Sequence, residues 1–394
     1  MSEDVLVIGA GVIGLAIADL LSREGRTVRV LDGQGIGTGA SGAAAGMLAP
    51  ISEAKQAGPL FRLGLESLSR FEGVCGRLKE ETGIDPELEP SGLLRLVTTE
   101  AARELIGERR RELSAATAST GTRGRLSEWL DRSSLRDVLS DVSPSVIGAF
   151  YSPLEYHLRP PLLVTALATA AKARGVAFET SLGALGLRLE AKGGDRTRIL
   201  GVETSSGFRA AGQVVVAAGA WTTGLLGSAG IRLGAASVDA ADAPDAITPV
   251  RGQILSLEAP LPKSSSIVWG DGIYFVPKRD GSWIVGATEE HVGFDSRVTV
   301  EGIATLLERA REVFPQIDQA TFGRAWAGLR PVSRDGLPWL GSVPGTDDLF
   351  VAAGHGRNGV LLSPVTAERV CDEMLGKRDE QTKDVFAASR ESVA

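Results

Sequence analysis

The first part of the chain has the hydrophobic pattern of a βαβ unit. Residues 4–9 form a short apolar run that ends in glycine, residues 12–23 carry apolar side chains at helical spacing, and residues 27–32 form a second β-rich run. Glycine, alanine, serine and threonine predominate from residue 33 to residue 50, a composition that predicts a loop. The sequence therefore predicts a strand, a helix, a second strand and an extended small-residue loop.

The middle of the chain continues as a mixture of helices and strands. Helices are predicted over residues 60–82, 100–116 and 160–174, and strands over residues 92–98, 176–180, 182–190, 199–205 and 213–218. Residues 119–145 have only a weak pattern. Residues 234–249, which are rich in alanine and aspartate, predict a surface excursion.

The C-terminal part begins with β-rich runs at residues 250–258, 272–277 and 282–286, which predict an antiparallel sheet because turn residues separate them. A helix is predicted over residues 300–314. The last unit is a strand over residues 349–353, a glycine-rich loop over residues 354–359 and a helix over residues 360–375. The polar tail after Gly376 is predicted to be mobile.

Composition excludes several classes of protein. The 394 residues favour two or three domains, and 43% apolar with 23% charged residues is typical of a folded, soluble chain. A net charge of -7 argues against a nucleic-acid partner. No run approaches the roughly 18 apolar residues of a spanning helix, so no membrane-spanning segment is expected.

Cysteine and histidine are too sparse for a disulfide framework or a metal site. The two cysteines, Cys75 and Cys371, lie in no CxxC motif, and the three histidines, His157, His291 and His355, are far apart in the chain. We therefore expect no metal, and a reducing compartment such as the cytoplasm.

Glycines at fixed spacing mark a dinucleotide site. Gly9, Gly11 and Gly14 form a GxGxxG motif between a predicted strand and a predicted helix, and Asp32 closes the next strand. Gly9 permits the tight turn, Gly11 lets a pyrophosphate approach the backbone, and Gly14 lets helix and strand pack closely. The helix N-terminus would face the anion, and Asp32 would accept the ribose hydroxyls.

Two further loops favour FAD over NAD. Residues 35–46 form a second small-residue loop where a plain NAD domain would continue into a helix and a strand, and residues 354–359 form another glycine-rich turn before a helix. An extended cofactor such as FAD needs distant segments to hold its flavin end. The positive end of the last helix would stabilise negative charge on a reduced flavin.

Three side chains are candidates for holding a substrate. Arg330 and Arg357 lie in an apolar run and in the last glycine loop, and a guanidinium suits a carboxylate. Tyr274, in a predicted strand, would add a phenol. From residue type alone a structural ion pair remains open for each arginine, and a core position for the tyrosine.

Several motifs together resemble the D-amino-acid oxidase superfamily, and most of all its glycine oxidase branch, which is associated with thiamine biosynthesis. The resemblance runs from the N-terminus to about residue 375. The motifs that carry it are residues 9–14 (GAGVIG), 43–48 (AAAGML), 217–221 (AAGAW), 249–252 (PVRG), 285–288 (VGAT), 325–331 (AWAGLRP) and 353–362 (AGHGRNGVLL).

The resemblance implies a non-covalent FAD in an α/β fold. That fold is a Rossmann-like FAD-binding domain of the glutathione-reductase type, over residues 1–50, 146–230 and 325–394. An interleaved antiparallel-sheet substrate domain is expected over residues 51–145 and 231–324. The implied FAD contacts are Gly9, Gly11, Val12, Ile13, Gly14, Asp32, Gly33, Ala40, Ser41, Ala45, Gly46, Met47, Ala184, His355, Gly356, Arg357, Asn358, Gly359, Val360 and Leu361.

The resemblance also implies the activity. Arg330 would hold the carboxylate of a small amino-acid substrate such as glycine, sarcosine, D-alanine or D-proline, with Tyr274 and Arg357 beside it. The reaction would be hydride transfer from Cα to flavin N5, with O2 as the electron acceptor. A dehydrogenase that passes electrons to a quinone or carrier, and a nucleotide-binding module without catalysis, remain open, as does a homo-oligomer.

Two positions depart from what the resemblance leads us to expect. Gly272 stands where the branch is expected to have a histidine two residues before the tyrosine, and Glu289 follows the Gly-Ala-Thr motif. Both departures concern the shape of the substrate pocket rather than the chemistry.

Overall fold

The structure is a computed structural model that describes residues 3–117, 126–194, 196–234, 246–258, 264–377 and 384–390. The surface excursion predicted for residues 234–249 lies largely outside these residues, as does part of the weakly patterned region. No described helix is both long and apolar enough to cross a bilayer.

Helices occur throughout the described chain. They are α1 (Val12–Arg23), α2 (Ala40–Ala43), α3 (Pro50–Glu53), α4 (Pro59–Leu68), α5 (Phe71–Thr82), α6 (Glu100–Thr117), α7 (Arg132–Val138), α8 (Pro160–Ala173), α9 (Thr222–Gly227), α10 (Val300–Val313) and α11 (Gly359–Met374).

The strands fall into two large sheets and a short ribbon. They are β1 (Glu3–Ile8), β2 (Val28–Leu31), β3 (Met47–Leu48), β4 (Leu93–Val97), β5 (Glu128–Asp131), β6 (Gly148–Ser152), β7 (Tyr156–His157), β8 (Ala177–Glu179), β9 (Ala184–Gly193), β10 (Arg196–Thr204), β11 (Gly207–Val216), β12 (Ile247–Glu258), β13 (Ile267–Trp269), β14 (Tyr274–Pro277), β15 (Trp283–Gly286), β16 (Thr321–Ser333), β17 (Trp339–Ser342), β18 (Thr346–Asp347) and β19 (Leu349–Ala353).

The first sheet has a parallel centre in the order β19-β11-β1-β2-β8, and β17 joins it antiparallel beside β19. An antiparallel arm of β9 and β10 continues from β11. Helices α1, α8 and α11 cover one face, where their apolar side chains form a common core with β1 and β2. The predicted βαβ unit therefore lies at the middle of this sheet.

The second sheet has the order β16-β12-β15-β14-β13-β4-β6-β5 and is antiparallel except where β13 pairs with β4. Helix α10 packs on it through buried residues that include Leu306 and Ala310. Strands β12 and β16 pair from Ile247↔Ser333 to Glu258↔Thr321. The ribbon of β3 and β7 lies outside both sheets.

Several segments differ from the sequence prediction, which also missed the short elements β6, β13, β17 and α9. The helix predicted over residues 60–82 is two helices, α4 and α5, which meet at Ser69 and Arg70. Strand β16 was not predicted, because its glycines, arginines and proline hide a strand that gains its stability from pairing with β12. The weakly patterned region contains β5 and α7. Asp131 caps the N-terminus of α7, because its carboxylate accepts a hydrogen bond from the Ser134 amide.

The described end of the chain packs against the first sheet. Residues 384–390 lie along the outer edge of β17, where the Leu340 amide donates to the Phe386 carbonyl at 2.8 Å and the Ala388 amide donates to the Leu340 carbonyl at 2.9 Å. The Arg390 guanidinium pairs with Asp335 at 2.9 Å and lies 3.5 Å from the centre of the Trp339 ring. Residues 384–390 are therefore packed against the first sheet, and the mobility predicted for the tail stays a prediction.

The division into two domains remains a proposal, which we refine at two places. Helices α4 and α5 share the core of α1, α8 and α11, so residues 59–82 belong with the first sheet. Strand β16 pairs with β12, so residues 321–333 belong with the second sheet.

Candidate functional site

A groove begins where β1 ends and α1 starts. Gly11 caps α1 without a side chain, so the amides of the first turn face the groove. The Val12 amide is an exception, since it donates to the Ser41 hydroxyl at 2.9 Å. Asp32 accepts from the amides of Ala10 and Gly35 at 2.8 and 2.9 Å, so its carboxylate fixes the glycine turn.

Residues from several separate segments line this groove, which we call the nucleotide groove. They include Gly9, Gly11, Asp32, Gly33, Gly35, Ala40, Gly183, Ala184, Ala217, Gly219, Trp221 and Phe294. Ala184, which is predicted to contact FAD, lines this groove, whereas Tyr274 does not.

The glycines leave the room that a dinucleotide needs. Gly9 has a φ of +111°, and a Cβ there would collide with the Ala217 carbonyl, so only glycine fits. A Cβ on Gly14 would collide with the Gly9 carbonyl, which confirms its role in close packing of helix and strand. A Cβ on Gly11 would lie 3.1 Å from Ser41 Oγ and would narrow the groove.

The groove continues into an inner cavity that shares Gly11, Ala40 and Ala217 with it. The inner cavity brings together the loop after β2, the turn before α11 and the second sheet. Its lining residues include Ile13, Ser41, Ala43, Ala45, Gly46, Met47, Glu53, Gly252, Tyr274, Gly328, Arg330, His355, Gly356, Arg357, Gly359 and Val360. Of the remaining candidates, Asn358 and Leu361 line a second cavity beside the inner one, which we call the outer cavity.

The register of two strands positions Arg330. Val250 on β12 pairs with Arg330 on β16, and the Arg330 guanidinium lies over Gly252, where a Cβ would collide with it. One guanidinium nitrogen donates to the Thr288 carbonyl at 3.0 Å. Within the described chain no carboxylate pairs with Arg330, so the donors that Thr288 and Tyr274 leave unused can bind an anion in the inner cavity.

Tyr274 is only 7% exposed and faces the same cavity. Burial raises the pKa of its phenol, against the lowering effect of the Arg330 and Arg357 charges. The phenol therefore stays protonated near neutral pH and can donate a hydrogen bond. Its ring meets Trp269 edge to face, with ring centres 6.4 Å apart.

Arg357 has a carboxylate partner that sequence reasoning missed. Glu53, at the end of the short helix α3, lies 3.8 Å from the Arg357 guanidinium and raises its pKa. The guanidinium also lies 5.5 Å from the centre of the Trp269 ring. Arg330 and Arg357 are therefore brought together, but only Arg357 is already paired.

A buried network holds α3 in place. Glu155 accepts hydrogen bonds from the Ser52 amide and hydroxyl at 2.5 and 2.6 Å, and Arg110 donates to Ser52 at 3.0 Å. Burial raises the pKa of Glu155 to about 7. Because Ser52 precedes Glu53, this network fixes the carboxylate that pairs with Arg357.

The ring of His355 is bound within the fold. The ring is buried, and its Nε2 lies 3.0 Å from the Thr366 hydroxyl on α11. Burial lowers the pKa of this imidazole to about 3, so it is neutral. The side chain therefore anchors the turn to α11, and residues 355–357 line the inner cavity.

Lys278 is a second residue that the sequence did not indicate. Its buried Nζ donates to the carbonyls of Ala45 and Leu158, both at 2.8 Å. It therefore ties the loop that lines the inner cavity to the segment after β7.

The two departures from the expected pattern have different surroundings. Gly272 lies in the turn between β13 and β14 with a φ of +66°, and its carbonyl accepts from Arg309 at 3.2 Å. Glu289 lines the outer cavity beside Arg330 and Arg357. Of the two, Glu289 is the one in contact with the candidate site.

Comparison with known proteins gives the family. Residues 4–373 match the family model described as FAD dependent oxidoreductase. The chain belongs to this family. It is 35% identical to the glycine oxidase of Geobacillus kaustophilus over 97% of this chain and 95% of that protein. It is 32% identical to the glycine oxidase of Pseudomonas putida over 95% of each.

A solved structure extends the likeness to three dimensions. The crystal structure of glycine oxidase from Geobacillus kaustophilus superposes with a TM-score of 0.87, at 33% identity, over 99% of both chains. The predicted α/β fold and the recognised family are therefore confirmed. As a member of an FAD-dependent family, the protein uses FAD, and the glycine-lined groove, the α1 N-terminus and Asp32 fit that group.

Asp32→Ala is expected to weaken FAD binding by about 1.5 to 3 kcal/mol, because the carboxylate orders the glycine turn and would accept charge-assisted bonds from the ribose. Titration of the apoprotein with FAD measures the change. Asp347→Ala, a carboxylate of the same sheet outside the groove, is the control. Equal FAD affinity in Asp32→Ala and the parent protein would remove Asp32 from the cofactor site.

FAD is expected to be dissociable. Cys75 and Cys371 are both buried, and burial raises the pKa of the Cys75 thiol to about 12 and raises that of Cys371 further. Neither thiol lines the inner cavity. Acid precipitation should release all flavin colour into the supernatant, and colour retained in a washed pellet would contradict this.

Proposed function

We propose that the protein is an FAD-dependent oxidase of small amino acids, with glycine, sarcosine and small D-amino acids as substrates. The single observation that carries the proposal is the unpaired Arg330 guanidinium, which faces the inner cavity beside the Tyr274 phenol. The glycine oxidases that this chain resembles support the same conclusion.

The residues present can bind and orient an amino acid. Arg330 would bind the substrate carboxylate with its free donors, and Tyr274 would donate a further hydrogen bond. Thr288 holds one arm of Arg330 through its carbonyl, which limits the positions that the carboxylate can adopt. Such positioning supplies most of the catalysis that this reaction asks of a protein.

Small residues shape the opposite wall. Ala43, Ala45 and Gly46 line the inner cavity, and the Ala43 carbonyl accepts from the Trp326 indole at 3.1 Å. The glycine-lined groove and these small residues would hold FAD, which would supply the two-electron oxidation of a neutral amine to an imine with O2 as the final acceptor. Water would then hydrolyse the imine to a 2-oxo acid and ammonia or an amine. Lys278 holds this wall through the Ala45 carbonyl.

Substrate-dependent H2O2 formation tests the proposal. The purified holoenzyme should produce H2O2 under air with at least one of glycine, sarcosine, D-alanine and D-proline. If these amines bleach the flavin anaerobically but give no H2O2, and a quinone restores turnover, the protein is instead a dehydrogenase of the same fold. Absence of flavin reduction by any amino acid would overturn both.

Arg330→Ala should lower kcat/KM by roughly thirty-fold to a few thousand-fold, because the substrate carboxylate would be left buried and unpaired at a cost of about 2 to 5 kcal/mol. FAD content should not change. Arg330→Lys should restore activity only in part, since an ammonium cannot form a two-pronged contact.

Arg324→Ala is the matched control for Arg330→Ala. Arg324 lies on the same strand and stacks on Trp326 at 4.6 Å, outside the inner cavity. Steady-state kinetics with both FAD-saturated variants decides the question. Near-parental kcat/KM in Arg330→Ala would show that Arg330 is structural.

A further inference from the structure

We propose that the outer cavity contains a second anion-binding subsite, formed by Arg95 and Arg109, which extends the proposed substrate range to amino acids with a second acidic group. The inference rests on the proposed function, because it assumes that Arg330 binds the α-carboxylate. It deepens that function by naming a substrate class, the dicarboxylic amino acids.

Strand register places Arg95 in line with the candidate substrate site. Trp269 on β13 pairs with Arg95 on β4 and with Tyr274 on β14. Residues paired directly across strands point to the same face of a sheet, and neighbouring strands lie about 4.8 Å apart. Arg95 is therefore two strands, or roughly 10 Å, from Tyr274 on the same face.

The two cavities adjoin. Glu53, Arg330 and Arg357 line both of them, and the outer cavity adds Arg95 and Arg109. A substrate that is held at Arg330 thus has open space in the direction of Arg95.

Arg95 lacks an acceptor of its own. Its guanidinium lies 4.6 Å from the centre of the Trp269 ring, and among the described residues it has no hydrogen bond and no ion pair. Burial, and then the charge of Arg110, lower its pKa, whereas Asp271 acts in the opposite direction. A partly buried guanidinium without an acceptor is unfavourable, and an anionic ligand would supply the missing partner.

The carboxylates that line the outer cavity interact with arginines other than Arg95 and Arg109. Glu53 pairs with Arg357 at 3.8 Å, and Glu289 also acts on the Arg357 charge. Asp335 pairs with Arg390 at 2.9 Å.

Within the described chain, by contrast, the cations Lys55, Arg95 and Arg109 of this cavity have no acidic partner within ion-pair distance. The outer cavity therefore has an excess of positive charge directed at the space beyond Arg330.

Size and charge together give the substrate class. Glycine and D-alanine would fill only the region near Arg330 and would leave Arg95 unpaired. A carboxylate whose carbon is two or three carbon atoms from Cα would extend towards Arg95. D-Aspartate and D-glutamate are therefore the amino acids that the subsite fits. D-Glutamine and D-asparagine match them in shape and lack the charge.

The test compares kcat/KM for D-glutamate and D-glutamine in the parent holoenzyme and in Arg95→Met. The parent should favour D-glutamate, and Arg95→Met should lower the D-glutamate to D-glutamine ratio at least about tenfold, as expected for loss of one charge-assisted contact. Arg109→Met should lower it in the same direction. An unchanged ratio in both variants would overturn the subsite.

Arg103→Met is the matched control. Arg103 stacks on Trp129 at 4.5 Å, as Arg95 does on Trp269, but it does not line the outer cavity. The ratio should stay at the parental value in this variant. A tenfold fall there as well would show that the change reflects lost arginine stacking and would overturn the subsite.

A binding measurement separates the subsite from the proposed function. Glutarate and its monoamide, which have no amine to oxidise, are titrated against the flavin absorbance of the holoenzyme. Tighter binding of glutarate that depends on Arg95 supports the subsite even if no amino acid is oxidised, in which case only the proposed function fails. Oxidation of glycine together with equal binding of the two ligands would retain the function and overturn the subsite.

Discussion

The parallel pairing of β2, β1, β11 and β19 is the constraint on which the site depends. In a parallel sheet all strands end at the same edge, so this pairing collects residues near 9, 32, 217 and 354 that are far apart in the chain. Each of the four strands leads into a glycine-containing turn there. The groove therefore exists because of strand order, and the glycines keep it open.

The second sheet supplies the side chains that would bind the substrate, Arg330 and Tyr274. Its rows of paired residues run across β16, β12, β15, β14, β13 and β4, so side chains from opposite ends of the chain meet at one face. Gly252 and Gly286 occupy positions where a side chain would collide with Arg330 and with Tyr274. Small residues in this sheet thus make room for the large ones that contact the ligand.

Sequence alone predicted the parts of the site that depend on local structure. Gly9, Gly14 and Asp32 lie within one βαβ unit, so their spacing alone predicted a tight glycine turn with a carboxylate beside it, while their contacts with FAD stay a prediction. Glu53 and Lys278 were missed because their roles depend on Arg357 and on the Ala45 carbonyl, which are distant in the chain.

Parts of the fold that depend on contacts between distant segments were also missed by the sequence prediction. Strand β16 carries too many polar and small residues to be predicted as a strand, and its conformation follows from eleven paired positions on β12. The break between α4 and α5 also has no strong local signal, since no glycine or proline stands at Ser69 or Arg70. Tertiary pairing and packing decide both cases.

The packed segment near the C-terminus bears on how separate molecules behave towards one another. Strand β17 is an edge of the first sheet, and an open edge offers amides and carbonyls to any other strand. Hydrogen bonds between Leu340 and residues 386–388 satisfy the amide and carbonyl of Leu340, and the partly buried Arg390 holds the segment in place. This segment thereby prevents the edge of β17 from pairing with a strand of another molecule, which is a route to aggregation.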